Sequence, residues 1–473
     1  MGAHDHERIE HSRRLLRTSG GTGCLVGRAG PFYGAAMRTR FAVVLLSLPI
    51  AAGCSEDPVA PVDAGRADVP VAVDIPTTPD RPVVDIPIVV DRPSVDVPDV
   101  VVPPDVPVTG AERVSAAMGG TTAITLDRTG NPSIAYGTNG GGPTLVVVST
   151  RAGSSWTHET ADTLPTAVSR IGYAIDAAGA RHLGYAQYLS RSGVGYGFRF
   201  FASTSTATAW TPRLLAEHSV NHNTAVRPDV HVTAAGAVHV VVPLTMATAT
   251  ASRVRHLSLE GSTVVDEEIA PRVTGSSFGV AIGRIAAAVH GESPLSLFTV
   301  ADDSSGPDTV AHYTARTGTS LATTVIGSFP DLGSSLTEVW GADLLRVSAG
   351  YIAVTADASG RFGDTTRYRV FRQGSPTWTM NTVGPARYAA DNWCAAAFAD
   401  GAVALFVYAG VGMPVTATEL RLILVQPDGT STERSVDGEV ESGLFCSAVT
   451  DATSVHVAYR KPDGGIYYRR VVR

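Results

Sequence analysis

The chain has 473 residues, a formal net charge of −7 and only 17% charged residues, with 48 Gly and 29 Pro. Small, β-branched and turn-forming residues in this proportion favour many short strands, and no stretch carries the 3.6-residue period of a long amphipathic helix. No basic face or stripe is evident, so the electrostatic footprint of a nucleic-acid binder is missing.

Residues 1–36 have no apolar core pattern. Met37-Arg38-Thr39-Arg40 then supplies a positive start, Phe41 to Ile50 an apolar run too short to span a bilayer, and Ala51-Ala52-Gly53-Cys54 a small-residue cleavage site. That order predicts a signal peptide over 37–53, with translation from Met37 and 1–36 a mis-assigned upstream start. His4, His6, His11 and Cys24 would then form no metal site in the mature protein. The cleavage site resembles the lipobox of bacterial lipoproteins, with Ala51 where Leu is usual. The resemblance implies a lipid on Cys54 and, because Ser55 and not Asp follows, an outer-membrane address.

From 54 to 109 the chain becomes Asp-Val-Pro-like low complexity, as in Val84-Asp85-Ile86-Pro87 and Val95-Asp96-Val97-Pro98. Between Ser55 and Thr109 stand 12 prolines, 11 acidic residues and three Arg, which leaves the remaining chain close to neutral. Proline removes donors and fixes φ while repeated Asp repels itself, so a disordered, extended spacer without a core is expected. At ~3.1 Å per residue such a tether reaches at most roughly 170 Å.

After 110 one cadence recurs: a strand, a tight turn with Gly, and a strand ending in an apolar or aromatic residue. It is plain in Ala174 to Tyr185 and in His231 to Val242. Seven copies can be placed, centred on Ala123 to Tyr136, Ala174 to Tyr185, His231 to Val242, Ala286 to Phe298, Leu345 to Val354, Ala395 to Tyr408 and Ser447 to Tyr459. The copies at 286 and 345 are degenerate, with turns open to a shift of a residue or two. Each copy is followed by a second apolar pair, such as Leu145 to Ser149 with Trp156 after the turn. The fold expected for 110–473 is therefore all-β, a seven-bladed β-propeller of four-stranded blades at about 52 residues per copy. The last copy lacks a fourth strand, and Glu112 to Ser115 is expected to supply it, closing the ring without an open edge.

The segment Ser149-Thr150-Arg151-Ala152-Gly153-Ser154-Ser155-Trp156 keeps the frame of the Asp-box, Ser-x-Asp-x-Gly-x-x-Trp, with Arg in the place of Asp. In this the domain resembles the sialidase-like, Asp-box propellers of secreted bacterial proteins. In sialidases three Arg from different blades hold a substrate carboxylate, and the resemblance would give that role to Arg170, Arg227 and Arg284. The family's Tyr nucleophile with its Glu, and its acid Asp, have no matching positions here.

Those three Arg stand six residues before Asp176, Thr233 and His290, so the repeat would bring them to one mouth of the channel. Either an anion answers them or each pairs with a local Asp or carbonyl. Asp343 falls near that register in blade five, and Asp391 and Asn392 in blade six. Phe278, Trp340, Tyr388, Trp393 and Phe445 gather just before innermost strands and would stack on sugars or pack between blades. His182, His239 and His456 share a repeat position, which suits bonding to the adjacent turn better than a metal. Asp302 to Asp308 has calcium-like composition without a spaced ligand pattern, and no metal or other cofactor is expected. Cys394 and Cys446 open the innermost strands of adjacent blades, as a disulfide or as two buried thiols.

Three functions remain open on these residues. One is a monomeric, lipid-anchored, non-enzymatic binding module for an acidic glycan or envelope partner. The others are a glycan-cleaving hydrolase or lyase and a protein-interaction scaffold; fold alone does not choose.

Overall fold

The hairpins close on turns with their own hydrogen-bond chemistry. Asp127 accepts the N–H groups of Thr129 and Asn131 at 2.8 Å each, Asp176 those of Ala178 and Ala180 at 2.7 and 2.8 Å, and Asp451 those of Thr453 and Ser454 at 2.8 and 2.6 Å. Each carboxylate satisfies donors that the sheet ladder cannot reach. Gly130, Gly179 and Gly236 take φ of +81°, +88° and +83°, a conformation that a Cβ makes costly.

The computed structural model describes residues 110–138, 142–191, 195–205, 209–220, 228–244, 251–274, 285–292, 294–302, 308–330, 337–359, 366–375, 377–386, 388–411, 417–439 and 442–473. The expected upstream start, signal peptide, Cys54 and spacer lie outside the described residues.

The chain begins with β1 (Glu112–Ser115). Blade one follows as β2 (Gly119–Leu126), β3 (Pro132–Thr138), β4 (Thr144–Ala152) and β5 (Ser155–Leu164), and blade two as β6 (Val168–Ile175), β7 (Arg181–Arg191), β8 (Gly195–Ser205) and β9 (Trp210–Val220). Blade three is β10 (Asp229–Val232), β11 (Val238–Leu244), β12 (Ala251–Glu260) and β13 (Thr263–Thr274). Blade four is β14 (Ile285–His290), β15 (Ser296–Asp302), β16 (Asp308–Thr317) and β17 (Ser320–Pro330). Blade five is β18 (Thr337–Val347), β19 (Gly350–Ser359), β20 (Thr366–Gln373) and β21 (Trp378–Ala386). Blade six is β22 (Tyr388–Ala397), β23 (Val403–Val411), β24 (Ala417–Val425) and β25 (Ser431–Asp437). The last three strands are β26 (Leu444–Thr450), β27 (Ser454–Arg460) and β28 (Ile466–Val472).

These form seven four-stranded antiparallel sheets, the seventh in the order β1-β28-β27-β26. Glu112 pairs with Tyr468 and Arg113 with Tyr467, so the first strand completes the last blade. Blade one grips that strand too: Trp156 Nε1 donates to Glu112 at 2.7 Å and Arg151 pairs with Glu112 at 3.1 Å. The Arg that replaces the Asp of the Asp-box frame is thus spent on ring closure.

The innermost strands β2, β6, β10, β14, β18, β22 and β26 contact one another in that cyclic order, and β26 returns to β2. The apolar core is split into wedges between blades and leaves the axis open. Val354, Tyr368 and Leu405 fill the wedge between blades five and six, Phe406, Val457 and Tyr459 that between six and seven, and Tyr136, Ile134 and Ile466 that between seven and one.

Pairing corrects one register of the sequence reading. His290 pairs with Ser296 as the last residue of its strand, just as Ile175 pairs with Arg181 and Val232 with Val238. The turn position of blade four therefore belongs to Gly291, and Arg284 falls one residue farther from its turn than Arg170 and Arg227 do.

Candidate binding site in the central channel

Five of the seven innermost strands slip against their hairpin partner near the same end. The irregularities fall between Gly119 and Thr122, Val168 and Arg170, Val339 and Ala342, Tyr388 and Trp393, and Leu444 and Ser447. A bulge bends the strand and re-aims its side chains. At blade seven it places Phe445 at φ 54°, the single non-glycine residue with positive φ among those described. Thr122 Oγ1 of the neighbouring blade donates to the Phe445 carbonyl at 2.7 Å.

Inside this rim the seven innermost strands enclose a channel of about 450 Å³. Its wall includes Arg170, Asp229 and Asp343, from blades two, three and five. Arg170 Nη2 lies 3.2 Å from Asp229 Oδ1, and Asp229 Oδ2 accepts the Val289 N–H at 3.1 Å. Asp343 accepts the backbone N–H of Ala395 from blade six. Three ionisable groups from separate blades thus converge on one level of the channel.

Their charges are interdependent. Burial pushes the Asp343 carboxyl up to about 7, and the nearby Asp229 charge adds to the rise, while Arg170 and the Ala395 N–H oppose it. Burial disfavours the Arg170 guanidinium, but Asp229 and Asp343 outweigh that and hold it above the ordinary arginine range. The Arg170 side chain keeps 37% of its surface exposed and that of Asp229 11%, so the cluster touches channel water without being free of its surroundings. It offers both guanidinium donors and carboxylate acceptors.

The other expected site residues are distributed as follows. Arg227, Arg284 and Phe278 lie outside the described residues. Trp340 and Tyr388 fall in β18 and β22, and Asp391 in β22, with their side chains outside the described set. Trp393 lines the channel and packs edge-on against Tyr368 at 5.9 Å, which makes it part of the wedge between blades five and six. Phe445 is 41% exposed, with Arg460 5.9 Å from its ring centre. Cys394 and Cys446 are joined by a disulfide with Cα atoms 5.7 Å apart, strapping the innermost strands of blades six and seven.

The shared histidines bond locally. His182 Nε2 meets Asp176 and His456 Nε2 meets Asp451, each at 3.0 Å, so both tie a second strand to its own turn. Blade three has Thr233 in place of the turn carboxylate, and His239 bonds instead to His256 at 3.1 Å. Part of the Asp302 to Asp308 run is outside the described residues; among those described, no group of three or more His, Cys, Asp or Glu is arranged to hold a metal.

Sequence reasoning missed Asp229. It occupies the strand position of Gly172 in blade two and Ala287 in blade four, so nothing in the repeat marks it. A carboxylate at an innermost-strand position that its neighbours fill with small residues is the one available signal.

Fold and site define a class: a seven-bladed β-propeller with a mixed-charge cluster in its central channel. No family model matches the chain, and no curated protein matches it. Solved structures similar to it include a fungal alcohol oxidase of the AA5 family in complex with copper, at 13% identity and a TM-score of 0.44, covering 77% of this chain and 76% of that one. The α-L-arabinofuranosidase ARB93A of Fusarium graminearum is similar at 9% identity and a TM-score of 0.41, covering 77% and 98%. The NanB sialidase of Streptococcus pneumoniae is similar at 11% and 0.37, covering 77% and 69%.

Proposed function

We propose that this is an exported binding protein, lipid-anchored at Cys54 to the outer membrane and monomeric, whose channel mouth takes a hydroxyl-rich ligand such as a glycan of the cell envelope. The observation that carries the reading is the convergence of Arg170, Asp229 and Asp343 from three blades on one level of a water-accessible channel. Sugar hydroxyls are both donors and acceptors, and a guanidinium beside two carboxyls meets both roles. The charge of Arg170 is answered by Asp229 within the protein, which favours a neutral glycan over the acidic one that three unanswered Arg would select. The lipid and spacer would hold this mouth clear of the membrane surface. Glycan-array binding by the full mature chain tests the reading: Asp343→Asn and Asp229→Asn should each weaken the best ligand at least about tenfold, a loss of roughly 1.4 kcal/mol. Unchanged binding by both variants would exclude the channel.

A second reading, glycoside hydrolysis, is favoured by the same two carboxyls. A carboxyl still protonated near neutrality, Asp343, beside a second one paired with Arg170, Asp229, is the kind of carboxyl couple that general acid and base catalysis uses. Chromogenic glycosides decide it: turnover that falls above about pH 7 and vanishes in Asp343→Asn supports hydrolysis, whereas binding without turnover supports the first reading.

A further inference from the structure

Four of the 13 histidines meet in the seam between blades three and four: His231 on β10, His239 on β11, His256 on β12 and His290 on β14. The rings of His231 and His290 lie 4.3 Å apart between centres. His239 Nδ1 bonds His256 Nε2 at 3.1 Å with the rings nearly parallel, and His256 Nδ1 meets Glu267 at 2.9 Å. His239, His256 and His290 are all buried, and the backbone of Gly291 closes over His239 so tightly that a Cβ there would come within 1.9 Å of its ring.

This arrangement requires uncharged rings. An imidazole pair bonded nitrogen to nitrogen needs a lone pair on one ring, and protonating both sets N–H against N–H. His231 Nε2, His239 Nε2 and His290 Nδ1 are buried without a hydrogen-bond partner, so an added proton on any of them would lose its hydration unrepaid. The facing charges do not rescue them as a set. Arg316 faces His239 and His256, and Arg346 faces His290; against these stand Glu267 and Glu260 near His256, and Glu292 and Asp229 near His290. Tyr351 meets the His290 ring edge-on. Among the described residues, His231 and His239 face other histidines and Arg316. Burial, followed by those neighbours, holds His239 down to about 3 and His231 well below its ordinary value, and burial also lowers His256 and His290.

We propose that the seam between blades three and four is an acid-sensitive latch, kept shut by neutral histidines and opened when acid protonates them. His231 and His290 also line the central channel beside Asp229, so opening the seam distorts the channel wall. The direction follows from linkage. The folded state binds these protons more weakly than the open one, so the latch is at full strength above about pH 7 and weakens as pH falls through about 6.5. The inference stands whether or not a glycan occupies the channel.

Hydrogen–deuterium exchange on the full chain tests it, with rates corrected for the intrinsic effect of pH. Protection of β10, β11 and β14 should fall at least about tenfold between pH 7.5 and 5 while β22, β23 and β26, strapped by the disulfide, hold theirs. In His231→Asn/His290→Asn the fall should shrink. If that variant does not fold, the wild-type comparison decides alone. Protection that is unchanged at pH 5, or lost equally in all blades, overturns the latch.

Discussion

At the scale of single residues, the channel cluster trades stability for a polar site. The raised Asp343 carboxyl is protonated in the fold at pH values where the unfolded chain has released its proton, so its burial costs nothing near pH 3.5 and progressively more up to about pH 7. Asp343→Asn keeps an acceptor for the Ala395 N–H and removes that cost. Urea titrations should show the variant more stable than wild type by about 1–2 kcal/mol at pH 8 and indistinguishable from it at pH 3.5. Gain of stability with loss of ligand is the pattern expected of a functional carboxyl. Arg170 works in the opposite sense: Arg170→Ala leaves Asp229 buried without its cation, and a loss of about 2–3 kcal/mol is expected, partly recovered in Arg170→Ala/Asp229→Asn. Equal stability of the single and double variants would show that Asp229 is not left at a cost when its cation is removed.

At the scale of elements, the turns explain why the hairpins are readable. Asp, Gly and His recur in a fixed frame because each does something the others cannot. Asp caps the turn donors, Gly supplies positive φ, and His ties the second strand back to the turn. Two glycines separate the contributions of backbone conformation and space. A Cβ at Gly179 meets nothing within 4 Å, so Gly179→Ala should cost only the conformational ~1–2 kcal/mol. At Gly236 the Cβ would come within 2.4 Å of the His182 ring, and Gly236→Ala should therefore lower the thermal midpoint by visibly more. Equal shifts would mean that the ring moves aside freely. The blade-four register was less legible because His290 can be mistaken for a turn residue, and only its pairing with Ser296 fixes its place in the strand. Asp229 was illegible for a different reason: convergence across the channel leaves no periodic trace in the chain.

At the scale of the molecule, closure distributes stability around the ring. The first strand completes the last blade, and the disulfide joins blades six and seven across 52 residues of chain. Chain-entropy reasoning gives such a bridge about 4 kcal/mol at most, and Cys394→Ala/Cys446→Ala should lose about 2–4 kcal/mol by urea unfolding. A variant as stable as wild type under oxidising conditions would show that the bridge adds nothing to the ring. Blade number, strand order and closure were open to sequence reading because every copy repeats them; ligand chemistry was not, because it depends on residues that break the repeat.

The most direct test is a crystal structure of the protein with the glycan that binds it best. The ligand should lie in the channel with its hydroxyls in hydrogen-bond contact with Arg170 and Asp343. A ligand seated on the outer strands or at the hairpin turns, with the channel left to water, would rule out the channel as the binding site.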